Sequence, residues 1–164
     1  MLAPAVAFFE IVLAVHIMAA VVAFGVTFAY PIIFPVVEKA DPRALPAVHR
    51  AQLAIGQRLI QPGLGVVLIA GIYLASKLHE WSAFYVQWGL GFVVLVGALG
   101  GLFFSPTEKR MIELSARDVA AAGDGEVTLS PEYRAAAKRV AQVGGAMSVL
   151  ILVTIYFMAT HTGG

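Results

Sequence analysis

The sequence predicts an all-α fold: an integral membrane four-helix bundle, N-out/C-out, with cytoplasmic helical extensions. Three observations predict it. Hydrophobic residues make up 60% of the 164 and charged residues 13%, against roughly 45–50% and about 25% in soluble domains. The apolar residues gather in four runs, each long enough for a hydrocarbon core about 30 Å thick, which takes about 20 helical residues. The basic residues crowd into the first and third connections between those runs.

The first run covers residues 5–30 and is interrupted by Glu10, His16 and Thr27. Pro31 and Pro35 follow, and Glu38-Lys39-Ala40-Asp41-Pro42 is the first polar break. A second helix starts near Pro46 and crosses over residues 59–76. Pro62, flanked by Gly63 and Gly65, should kink that helix and free the carbonyl of Arg58. The third crossing is 83–104, closed by Ser105-Pro106. Residues 107–122 read as an amphipathic helix or a continuation of the third. Gly123-Asp124-Gly125 is the strongest loop signal. Ser130-Pro131-Glu132 then starts a helix, with an N-cap oxygen, a proline in the first turn and an acid near the positive end. That helix crosses over 141–160. A chain of this length is one domain, residues 1–164.

Lys39, Arg43, Arg50 and Arg58 flank the first connection, and Lys109, Arg110, Arg117, Arg134, Lys138 and Arg139 the third. The second holds Lys77. The positive-inside rule therefore puts loops one and three in the cytoplasm and both termini outside. The expected location is the cell (inner) membrane of a bacterium. The N-terminus does not read as a cleavable signal peptide, because no basic residue precedes the long apolar run.

With 11 basic and 10 acidic residues, there is no basic stripe for nucleic acid. The absence of cysteine excludes disulfides and thiolate chemistry. P-loop, zinc-protease and nucleophile-elbow motifs are absent. Helices in lipid associate through small residues and polar contacts. Ala19, Ala20 and Ala23 offer such a face, as do Gly97 with Gly101 and Gly144 with Ser148. Packing is the expected role of these glycines, with cavity formation the alternative.

An ionisable residue deep in a membrane is the default functional candidate, and His16 is that residue. It lies roughly 16 Å along its helix from the outer end, at 1.5 Å per residue. Two readings are open. The imidazole either bonds a carbonyl or hydroxyl of a neighbouring helix, or is an axial ligand to a haem or a metal. Glycines at the same depth in the other helices would leave room for a flat ligand, and Met147 is a candidate second axial ligand. Arg58 and Arg139, with Tyr30, Gln61 and Gln142, form a cluster near the cytoplasmic boundary. Those arginines either snorkel to lipid phosphates or meet haem propionates. His49 is set aside as cytoplasmic, and His79 and His161 as outer-surface residues. A surface metal site from His79, Glu80 and His161 is a weaker candidate.

The stretch Leu13-Ala-Val-His16-Ile-Met-Ala-Ala-Val-Val-Ala-Phe-Gly25 resembles the first helix of small bacterial four-helix predicted integral membrane proteins of unknown function. It is distantly similar to HemJ-type protoporphyrinogen oxidases and copper-resistance-D-type proteins. The HemJ-type resemblance implies haem ligated from a first-helix histidine, the place His16 occupies. The chain departs from that pattern in having no lysine within the spans and no second embedded histidine.

The expected function is a non-enzymatic bundle acting as an oligomeric or accessory membrane component. The alternative is a protein binding haem b, redox active, with His16 as axial ligand. No complete catalytic constellation is present; an enzyme built on this chain would be a haem-dependent oxidoreductase. Expected partners are the lipid bilayer and a second copy or another membrane protein.

Overall fold

The computed structural model describes residues 4–160, which are all-helical with no strands. Four rods are long and apolar enough to cross a membrane: Phe8–Ala40, Pro42–Leu78, Phe84–Ala122 and Pro131–Thr160. Within them the α-helices are α1 (Pro4–Gly25), α2 (Tyr30–Ala40), α3 (Leu45–Ile55), α4 (Gln61–Leu78), α5 (Phe84–Leu99), α6 (Ser105–Ala122) and α7 (Pro131–Thr160).

Prolines explain the breaks inside the rods. A proline ring clashes with the carbonyl four residues back and supplies no N–H. Ahead of Pro31, Pro62 and Pro106 the chain changes pitch. A 3₁₀ turn at Val26–Ala29 precedes Tyr30-Pro31, and π-helical turns at Gly56–Ile60 and Gly100–Phe104 precede Pro62 and Pro106. In the π turns, Gln61 N–H donates to Gly56 O and Ser105 N–H to Gly100 O. The second rod thus stays helical through Pro62, with a π turn ahead of the proline at which a kink was expected. The first rod likewise runs through Pro31 and Pro35 to Ala40. Residues 107–122 continue the third rod as α6.

α1 lies along α4 through small residues. A Cβ added to Gly63 would stand 2.9 Å from Ala23 Cβ, and one on Gly71 would stand 3.2 Å from His16 Cε1. α5 and α7 pack through Gly89 against Met158, edge-on rings of Phe84 and Phe157, and a 2.9 Å bond from Trp88 Nε1 to Thr154. The inner core joins Ala23, Phe24, Leu64, Val67, Phe92 and Ile151. A separate core, built on Leu45, Met111, Leu114, Leu129 and Tyr133, holds the extensions α3 and α6 against the start of α7. Outside both, α1 exposes Phe8, Ile11, Ile17, Met18 and Val21. A patch that large suits lipid rather than water.

The loop after α6 is tied down at both ends. Gly123 takes φ +53°, which glycine adopts without the Cβ penalty. Asp118 Oδ2 accepts from Ser130 N (2.8 Å) and Ser130 Oγ (2.7 Å). Ser130 Oγ also accepts from Tyr133 N at 3.4 Å, as an N-cap does. Burial opposes ionisation of Asp118. The Ser130 N–H and hydroxyl and the Arg117 guanidinium outweigh it and hold the carboxyl below its ordinary value.

Candidate functional site: a cavity capped by a buried His–Glu–Tyr cluster

Residues of the irregular turns in three rods, Thr27, Gly56 and Gly100 among them, line a cavity of about 520 Å³ between the helices. That size is in the range of small-molecule sites. Glycines make the room. Gly56, Gly100 and Gly144 line the cavity, and a Cβ on any of them would meet open space. Gly97 and Ser148 line it too. Packing is thus realised at Gly63, Gly71 and Gly89, while Gly97, Gly100, Gly144 and Ser148 line the cavity. One end is apolar, walled by Phe24, Leu64, Val96, Met147 and Ile151.

The other end is polar and buried. His49, 1% exposed, sits on the inward face of α3 with Leu45 one turn before it. Its Nδ1 is 2.9 Å from Glu108 Oε2 on α6, and its Nε2 is 2.8 Å from Tyr133 Oη on α7. Phe34 of α2 stacks on the imidazole with centroids 4.6 Å apart. Burial, then the nearby carboxyls of Glu38 and Glu108, push the Tyr133 phenol well upward, against a smaller opposing effect of Arg134. Tyr133 therefore keeps its proton. The assignment satisfying all three groups has Tyr133 O–H donating to Nε2 and Nδ1–H donating to Glu108.

Glu108 is 3% exposed, and its only ion-pair partner among the described residues is His49. Its Oε1 has no hydrogen-bond partner, nor do Tyr30 Oη and Gln52 Oε1. All three residues line the cavity. A buried polar atom left unpaired costs roughly 1–3 kcal/mol. Three such oxygens on one wall mark a place built to meet polar atoms.

The residues singled out from the sequence are distributed differently. His16 is half-buried between α1 and α4, its Nδ1 3.0 Å from Val67 O. Met147 lines the cavity whereas His16, Arg58 and Arg139 do not. Both arginines are exposed, as are Glu10 and Gln142. Tyr30 and Gln61 line the cavity. Glu80 accepts from Tyr85, and His79 caps α4 in the left-handed conformation at φ 59°. His161 lies outside the described residues. Among the described residues, no three His, Asp or Glu side chains converge as a metal site.

Sequence reasoning set His49 aside, and the structure makes it the centre of the cluster. The available signal was on α6. Glu108, Met111, Ser115 and Asp118 recur at helical spacing on one face, and that face is buried. Two acids on the apolar face of an amphipathic helix need partners.

No protein-family model, curated protein or solved structure matches the chain. Fold and site together define a class: an all-helical protein of four membrane-length helices around an internal cavity.

Proposed function

We propose that the chain is a multi-pass membrane protein, loops one and three cytoplasmic, that holds a small lipid-soluble molecule in the cavity between its helices. The observation that carries this reading is the wall of unpartnered buried oxygens, Tyr30, Gln52 and Glu108, beside an apolar space of about 520 Å³. A molecule with an apolar body and a polar head matches both ends. The first rod meets α7 chiefly at the Val26–Ala29 turn. Nothing in the cluster resembles a nucleophile with an oxyanion site. Holding a ligand, as an accessory or oligomeric membrane component, is the role it supports.

The test is saturable uptake of 2-naphthylmethanol by the protein in lipid nanodiscs, compared with a Gly100→Leu/Gly144→Leu variant. Both leucines would project into open space. Wild-type protein should bind saturably and the filled variant should not. Absence of saturable binding to the wild type would overturn the reading.

One observation favours a second reading, haem b on His16. With Nδ1–H donating to Val67 O, Nε2 keeps its lone pair, the usual second-shell arrangement of a ligating histidine. Met147 would then serve a different space from His16. A Soret band in protein from haem-replete cells, lost in His16→Ala, supports this reading. A colourless wild-type protein refutes it.

A further inference from the structure

We propose that the polar end of the cavity selects an organic ammonium, an apolar molecule carrying a protonated primary amine. This rests on the cavity reading above and names the class of its occupant.

Glu108 brings a carboxyl into a site where its one partner is a histidine and its Oε1 is unpaired. Of the other two unpaired atoms, Gln52 Oε1 is an acceptor, and Tyr30 Oη is a hydroxyl oxygen that accepts as well as donates. Acceptors without donors call for a donor-rich head. A primary ammonium has three N–H groups to offer such oxygens. A carbonyl or ether head has none and would leave Glu108 and Gln52 unsatisfied.

Charge points the same way. The titratable and charged groups facing Glu108 are His49 from α3, Tyr30 and Glu38 from α2, and Tyr133 and Lys138 from α7. Lys138 is exposed and forms no ion pair with Glu108. Among these groups His49 alone lies within ion-pair distance of Glu108, through Oε2, and Oε1 meets none. A buried charge is tolerated when it is paired and hydrogen-bonded, and an ammonium does both. Aromatic rings are available too, since Tyr30 and Phe34 line the same cavity with ring centroids 6.3 Å apart. Aromatic faces attract ammonium groups.

The experiment compares 2-naphthylmethylamine with its uncharged isostere 2-naphthylmethanol, at neutral pH, on the wild-type protein in nanodiscs of neutral lipid. The amine is expected to bind at least about tenfold more tightly. Glu108→Gln should abolish that preference, its folding being checked separately by far-UV circular dichroism and by its SDS unfolding transition. Tyr30→Phe, which removes one acceptor and keeps the ring, should reduce the preference in part. Equal binding of both probes to the wild type overturns the ammonium assignment and leaves the cavity reading standing. Binding of neither overturns both. A preference that survives Glu108→Gln overturns the role given to the carboxyl.

Discussion

Replacing His49 with alanine removes the side chain that joins α3, α6 and α7. Two hydrogen bonds vanish, to Glu108 at 2.9 Å and Tyr133 at 2.8 Å. Glu108 Oε2 and the Tyr133 hydroxyl are left buried without partners, at roughly 1–3 kcal/mol each. The stacking surface of Phe34 is lost as well. The expected destabilisation is about 3–5 kcal/mol, a large share of the stability of a small domain. It can be measured by unfolding in mixed micelles with increasing SDS, followed by far-UV circular dichroism. Arg50→Ala, the exposed neighbour on the same helix, is the control and should change stability by less than about 0.5 kcal/mol. Adding Glu108→Met to His49→Ala should recover part of the loss, because an apolar pair leaves fewer unpaired atoms. A loss below about 1 kcal/mol for His49→Ala would refute the claim that the cluster is desolvated and mutually satisfied.

Gly63→Ala sets a Cβ 2.9 Å from Ala23 and should destabilise the bundle by about 1–3 kcal/mol. Gly144→Ala meets open space and should be neutral or stabilising by up to about 1 kcal/mol; equal effects in SDS titration would contradict the packing described. Asp118 is held below its ordinary value of 3.8, so the unfolded chain takes up protons first as pH falls. Its contribution is therefore present above that value and disappears as pH drops through the lower folded value. Asp118→Asn should lower stability at neutral pH and flatten the acid limb, and an unchanged pH profile would count against the Ser130 tie. Because the chain has no cysteine, single cysteines report sidedness. A membrane-impermeant maleimide should label Ser82→Cys from outside intact cells and Asp124→Cys only in inverted vesicles, and the reverse pattern would invert the proposed orientation.

The four long helices were legible because length and apolarity decide them locally. The loop at Gly123 and the start of α7 at Ser130 were legible for the same reason, since turn and cap chemistry is local. The continuity of the first rod through Pro31 and Pro35 was not, because it depends on how a 3₁₀ turn upstream absorbs the proline. His16 is half-buried between α1 and α4, and its bond to Val67 is one of the two arrangements the sequence left open. The cluster was illegible because His49, Glu108 and Tyr133 are far apart in sequence. Each by itself reads as a polar residue of a water-facing extension. Only the packing of α3 on α6 and of both on α7 brings them together. Glycine spacing had the same limit: Gly63 and Gly144 look alike in the sequence, yet one touches Ala23 and the other borders empty space.

Native mass spectrometry of the protein released from nanodiscs assembled with native lipid tests the central claim most directly. A cavity built to hold a small molecule predicts a discrete adduct at one copy per chain. It should be retained through gentle activation, released as a single species, and absent from the Gly100→Leu/Gly144→Leu variant. Wild-type and filled proteins with identical spectra would contradict the account.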